Sequence, residues 1–193
     1  MVTGMGLAMA DNLTPRIVAY CCKEEGLVRE AYLDNAKPRV WTWSGGITAA
    51  AGVDVMQYKD NPAPLETCLR AEIDRMQAKY LPEVIHAVTR PLTEIQLAAA
   101  LSFHWHYGAI GTAQWVKDWN LGRDDQARTD FMNWTDHGNA EARAKVEQAM
   151  FFDCIWPSDL RVPVWSVAKP SYSPVHPVPT DIMPLLQQIM GEA

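Results

Sequence analysis

Glu25, Asp34 and Thr42 stand in one stretch, Glu24 to Gly46, in the order acid, second carboxylate, hydroxyl. Asp34 follows Glu25 by nine residues and Thr42 follows Asp34 by eight. Cleaving a glycosidic bond calls for such a set. A proton donor serves the leaving oxygen, and a second group on the far face of the sugar holds a water or attacks directly. The donor must stay protonated near neutral pH, above the usual Glu value of about 4.3. Glu25 suits that role as the last residue of a helix, where the negative end of the macrodipole disfavours a charged carboxylate and Glu24 pushes the same way. Asp34, in a wet, turn-like segment, suits an ionised base or nucleophile. The bland reading is that Glu before Gly ends a helix and Asp-Asn makes a turn, and spacing alone leaves both open.

The elements that would position these groups follow from local signals. Thr14-Pro15 reads as an N-cap and first helical residue, Ile17, Val18, Cys21 and Cys22 give an apolar face, and Gly26 is a natural C′ residue, so a helix is predicted over 14–25. Val40-Trp41-Thr42-Trp43 is β-branched and aromatic, which predicts a strand of a hairpin spanning 32–46. Thr42 then points away from the Trp41 and Trp43 side and could hold a water beside Asp34. Ser44-Gly45-Gly46 lets the backbone turn sharply or approach a ligand closely.

These residues also carry a resemblance. Glu25-Gly26-Leu27, Tyr32-Leu33-Asp34 and Thr42-Trp43-Ser44-Gly45-Gly46 resemble the E-G, Y-x-D and T-x-G-x-G signature of phage-type lysozymes, the endolysins of glycoside hydrolase family 24. Leu92-Thr93-Glu94-Ile95-Gln96, Ala100-Leu101-Ser102-Phe103 and Gly108 continue the pattern, as do Phe131 to Trp134, Arg143 with Glu147, and Phe151-Phe152. The match runs over roughly 12–156 with its order preserved. It implies an α+β lysozyme-like fold, with a small β-hairpin lobe, a long connecting helix and a larger helical lobe. It further implies hydrolysis of the β-1,4 bond between N-acetylmuramic acid and N-acetylglucosamine in peptidoglycan. In that reading Glu25 is the general acid, Asp34 the base or nucleophile, and Thr42 the group that positions water or substrate; His106, Arg143, Trp43 and Gly45 contact substrate. The chain departs from the family in four ways, one being that the commonly doubled Arg is single, at Arg143. Its acid-to-threonine loop is longer, Gly45-Gly46-Ile47-Thr48 lacks the usual His, and His106 stands where Asn is common. A lytic transglycosylase and a peptidoglycan-binding protein without catalysis are the alternatives.

Length and composition fit this reading. At 193 residues, 48% hydrophobic and 21% charged, the chain can bury a real core in one domain with an appendage. The net charge of −6 argues against broad nucleic-acid binding or attraction to anionic membranes. The start of the chain has a weakly apolar run without a basic region, and no stretch approaches the roughly 20 apolar residues of a membrane span. No leader is expected, so the protein would gather in a host bacterial cytoplasm until released to the wall. The expected partners are peptidoglycan glycan strands, with no nucleic acid, no membrane insertion and a monomeric chain. No cofactor or metal is expected: His104 and His106, two residues apart, diverge on a helix and lack a third ligand. Cys21, Cys22, Cys68 and Cys154 lack metal-type spacing. Free buried thiols are preferred over a Cys68–Cys154 bridge.

Further helices are predicted where apolar residues recur at helical spacing. Leu65, Cys68, Leu69, Ile73, Met76 and Tyr80 mark a long joining helix with its stripe toward the larger lobe. A short helix follows over 81–88. A Thr93/Gln96 capping box opens an apolar helix through Trp105; His106 is expected to face the cleft and hydrogen-bond sugar, while His104 or Trp105 packs. Residues 114–119, 124–134 and 141–152 complete the helical lobe, with Trp115, Trp119 and Trp134 in its core. The domain is assigned to 1–156 and a Pro-rich extension to 157–193, which holds seven of the thirteen prolines. In that extension Val162 to Val167 reads as an edge strand, and Thr180-Asp181 caps a short helix through Met190. Wrapping the body is favoured for it over wall binding or self-association.

Overall fold

The structure, a computed structural model, describes residues 12–191; the weakly apolar start of the chain lies outside them. Two compact units are present. A helical unit takes the chain up to Ile17 and Met76–Ser158, and a β unit takes Val18–Arg75 with the residues from Asp159 onward.

The β unit begins in helix α1 (Pro15–Glu25), whose first turn is capped where the Ile17 N–H donates to Thr14 Oγ1 at 3.2 Å. Gly26, at φ 72°, closes it with its N–H on the Cys22 carbonyl, a left-handed conformation that favours glycine. Two three-stranded sheets follow. One is the antiparallel meander β2 (Tyr32–Leu33), β3 (Trp41–Trp43) and β4 (Ile47–Thr48), in which Tyr32 faces Thr42 and Thr42 faces Thr48. Trp43, Ile47, Val55, Ala63 and Cys68 form a buried cluster beneath it. Cys68 lies on helix α2 (Leu65–Arg75), so the Cys68 side of that stripe serves the β unit rather than the helical one expected. Residues 49–51 and 55–58 make two short 3-10 turns.

The second sheet has the order β1 (Leu27–Val28), β5 (Val162–Ala168), β6 (Ser173–Thr180). Here the expectation of an edge strand at Val162–Val167 is corrected: β5 is central, parallel to β1 and antiparallel to β6. Its Pro163 is tolerated because β1 pairs only with Val164 and Trp165, beyond the proline, and because Pro163 sits opposite Pro179. The chain ends in helix α8 (Met183–Gly191), capped by Asp181, whose carboxylate accepts the Met183 N–H. Leu186 and Ile189 are buried on it, and it packs on α2.

The helical unit contains a π-turn (Met76–Tyr80), α3 (Leu81–Ala87), α4 (Glu94–Tyr107), α5 (Gln114–Asn120), α6 (Asp124–Phe131) and α7 (Glu141–Asp153). The Thr93/Gln96 capping box forms as expected, and every residue from Ile95 to Trp105 is buried, as befits a helix apolar all round. Phe103, Trp115, Phe131 and Phe151 pack edge-on or tilted around it. Trp115 and Trp119 are core as predicted, whereas Trp134 is only half-buried. All four cysteines are free thiols; Cys21, Cys22 and Cys68 are buried, but Cys154 is exposed. That rules out the Cys68–Cys154 bridge and limits the buried-thiol expectation to three of the four. If α8 is part of the β-unit core, Leu186→Ala should lower unfolding stability by about 2–5 kcal/mol. Urea denaturation followed by circular dichroism measures it.

Candidate active site

Glu25 is the last residue of α1 and is half-buried. The glycine after it is hemmed in: a Cβ on Gly26 would come within 2.7 Å of Trp165 Nε1 and 3.4 Å of the Pro163 carbonyl on β5. The β3–β4 turn arrives from another side. Its Ser44 N–H donates to the Val28 carbonyl at 3.0 Å, and a Cβ on Gly45 would lie 3.3 Å from the Gly26 carbonyl. The end of the acid-bearing helix is thus enclosed by the Trp165 indole and by backbone, and glycine is needed where the segments meet.

The same turn is held by a residue that the sequence reading passed over. Glu72, on α2, is wholly buried. Its Oε1 accepts the Gly45 N–H at 2.6 Å, and its Oε2 faces Arg75 Nη1 at 3.8 Å. Burial pushes the Glu72 carboxyl above its usual value and the Glu25 charge adds to the push; the Ser44 hydroxyl, the Gly45 N–H and Arg75 pull the other way. A signal for it existed in the sequence. Glu72 stands four residues after Cys68 and four before Met76, inside the apolar stripe, where a carboxylate has to find a partner.

Asp34 follows β2 and is half-exposed. Its Oδ1 accepts two backbone N–H groups, from Val40 at 2.9 Å and Ala36 at 3.1 Å, which fixes the orientation of the carboxylate. Tyr32, two residues earlier, reports on the neighbourhood. Burial pushes its phenol up to about 12, and the charges of Asp34, Glu72 and Glu25 all add to the shift, opposed by Arg75. One phenol therefore lies within electrostatic reach of all three carboxylates.

Thr42 is buried in β3, and its Oγ1 donates to the Val40 carbonyl at 3.1 Å, at the closing end of the Asp34 loop. Trp43 is 1% exposed, stacks on Tyr58 at 4.0 Å and donates its indole N–H to the Arg29 carbonyl. It is a pillar of the β-unit core. Glu25, Asp34, Thr42, Trp43 and Gly45 all lie in the β unit, and His106 and Arg143 in the helical unit. His106 is exposed at the end of α4, while His104 and Trp105 are buried. The His104 ring meets Glu83. Arg143 is largely buried and donates to Glu147 Oε1 at 2.9 Å and to the Ser102 carbonyl and hydroxyl at 2.8 and 2.9 Å. Among the described residues no group of His, Cys, Asp or Glu could hold a metal ion.

The phage lysozyme family model matches residues 22–148, about two thirds of the chain. The chain belongs to the phage lysozyme family. Solved structures agree on the fold. A mutant of P22 lysozyme superposes with a TM-score of 0.59 at 20% identity, covering 72% of this chain and 97% of its own. An endolysin from Escherichia coli O157:H7 phage FAHEc1 gives 0.60 at 19%, covering 76% and 97%. The muramidase domain of SpmX from Asticaccaulis excentricus gives 0.56 at 21%, covering 76% and 99%. No curated protein matches the sequence. The fold is therefore the α+β lysozyme fold expected from the signature residues.

The buried Glu72 carries a pH dependence. Its folded value is raised above the ordinary 4.5, so the folded state binds the proton more tightly than the unfolded chain. The stability this contributes is fully present below pH 4.5 and is lost as pH rises through the folded value. Glu72→Gln keeps an acceptor for Gly45 without the charge. It should match the wild type at acid pH and become the more stable of the two toward neutrality, as urea denaturation at a series of pH values will show.

Proposed function

We propose that Glu25 is the general acid with which this phage lysozyme family member hydrolyses the β-1,4 bond between N-acetylmuramic acid and N-acetylglucosamine in peptidoglycan. The observation that carries the assignment is geometric. The Gly45 turn closes on the Gly26 carbonyl, next to Glu25, and Thr42 of the same hairpin pairs with Tyr32, two residues before Asp34. In a family of glycoside hydrolases, two carboxyl groups brought to one locality are the minimum equipment for the reaction.

In the proposed mechanism Glu25 gives its proton to the leaving glycosidic oxygen as the bond breaks. Asp34 acts on the opposite face of the sugar, as base toward a water or as nucleophile. Two backbone N–H bonds to Oδ1 hold Asp34 in one orientation, so little reorganisation is needed when charge develops on the ring. Thr42, joined through the Val40 carbonyl to the end of that loop, positions water or substrate. Gly45, His106 and Arg143 are proposed to contact the glycan. Arg143 does so while neutralising Glu147, whose buried charge would otherwise be uncompensated.

No helix among the described residues is long and apolar enough to cross a membrane. The proposed course is synthesis in the host cytoplasm, action as a monomer, and contact with the wall only after release. Residues 1–156 are proposed as the catalytic domain proper, with the C-terminal extension of 157–193 attached to its β unit.

Purified peptidoglycan tests the assignment through loss of turbidity and the appearance of reducing ends. Glu25→Gln should fold normally and lose activity by roughly a hundredfold to ten-thousandfold, the range for a general acid. Asp34→Asn should lose most activity, and Thr42→Ala should be intermediate. Normal lysis by Glu25→Gln would falsify the assignment. Anhydro-muropeptide products in place of reducing ends would instead identify a transglycosylase.

A further inference from the structure

The C-terminal hairpin reaches back to the loop that carries Asp34. The loop between Asp34 and Val40 is exposed from Asn35 onward, and a loop of that kind would ordinarily be free to move. Here the residue before Asp34 is held on both sides. The Leu33 N–H donates to the carbonyl of Tyr172, at the tip between β5 and β6, at 2.7 Å. The Leu33 carbonyl accepts from Arg39 Nη2 at 2.6 Å. The same guanidinium donates through Nε to the Asp34 carbonyl at 2.8 Å. It also reaches the tip, donating to the Ser171 carbonyl at 3.3 Å and the Ser173 hydroxyl at 3.1 Å. One planar fork thus joins four acceptors, two on the Asp34 loop and two on the hairpin tip, a task that suits arginine and not lysine.

The tip is itself tied down. Tyr172 adopts φ 52°, unusual for a residue with a side chain. Its ring meets Trp41 edge-on at 4.9 Å, and its hydroxyl donates to Asp60 Oδ2 at 3.0 Å. Lys169 pairs with Glu30 at 2.6 Å and Asp60 at 2.5 Å, and Lys59 lies over the rings of both Trp41 and Tyr172. Each contact is modest alone at an exposed surface, but they share partners and converge on one four-residue turn. The family match ends at residue 148, so this clamp comes from a segment beyond it.

We propose that the C-terminal hairpin is a positioning element for Asp34, acting through Arg39. The proposal rests on the reading of Asp34 as the second catalytic carboxylate. The hairpin tip pins the backbone on both sides of the Leu33–Asp34 peptide, and through it sets where the carboxylate stands relative to the sugar. A displacement of about 1 Å at such a group can cost on the order of a hundredfold in rate.

The experiment measures kcat and KM on soluble, uncross-linked glycan strands for wild type, Arg39→Ala, Arg39→Lys, Asp34→Asn and the Arg39→Ala/Asp34→Asn pair. Arg39 is exposed, so the variants should fold, and melting temperatures confirm that assays run well below unfolding. Arg39→Ala should lower kcat by roughly tenfold to a hundredfold while KM moves by less than about twofold. Arg39→Lys should recover only part of the loss. In the Asp34→Asn background Arg39→Ala should cost nothing further, because the group it positions has already gone. An equal loss in both backgrounds would overturn the proposal. Full activity of Asp34→Asn would instead remove the catalytic reading of Asp34. Hydrogen exchange at the Ala36 and Val40 amides then decides the clamp independently: faster exchange in Arg39→Ala supports it, and unchanged exchange overturns it.

Discussion

A carboxylate with no access to water organises the β unit. Glu72 is stripped of solvent, and its nearest compensation is the N–H of Gly45. A buried polar group without a partner is costly, so the β3–β4 turn must present that N–H to α2. The requirement propagates. Gly45 can approach only because it lacks a Cβ, which would stand 3.0 Å from Glu72 Oε1 and 3.3 Å from the Gly26 carbonyl. Gly26 in turn closes the helix that carries Glu25. One hydrogen bond thereby ties helix α2, the glycine turn and the end of α1 into a rigid frame around the proposed acid.

The helical unit meets a similar demand by a different route. Glu147 is also buried, but its Oε1 is answered by both Arg143 and the Ser102 hydroxyl. Such an ion pair breaks badly if one partner is removed, since the other is left as an uncompensated buried charge. In the β unit the Glu72 charge is opposed by burial and by Glu25. In the helical unit a full positive charge stands beside the acid. Arg75 stands farther from Glu72, at 3.8 Å, than Arg143 does from Glu147, at 2.9 Å.

The C-terminal segment gives the β unit an extra layer that the family pattern does not contain. Its hairpin supplies the central strand beside β1, its Trp165 closes on Gly26, and its tip grips the Asp34 loop. The two proposed catalytic carboxylates are thus approached by the same segment from two directions. Pro170, Pro174, Pro177 and Pro179 limit the conformations of that hairpin, which suits a part whose proposed work is to hold another in place.

Much of this molecule was legible from residues close together in the chain. Thr14-Pro15 and Gly26 bounded the first helix, Thr93 with Gln96 opened the central one, and the order of Glu25, Asp34 and Thr42 with its glycine turn marked the family. These signals are local: caps, turns and periodicity act over a few residues, and each residue reports its own preference. The partners that hold those residues are decided across long separations. Nothing near Gly45 announces that Glu72 will accept its N–H, and nothing near Asp34 announces Arg39's hold on Ser171 and Ser173. Nothing near Trp43 announces that it will stack on Tyr58, and β5 looks like an edge until β1 and β6 close on both sides. Residue type and order determined which chemistry is available to this chain. Burial, which exists only once distant segments have packed, decided which polar groups need a partner and where each finds one.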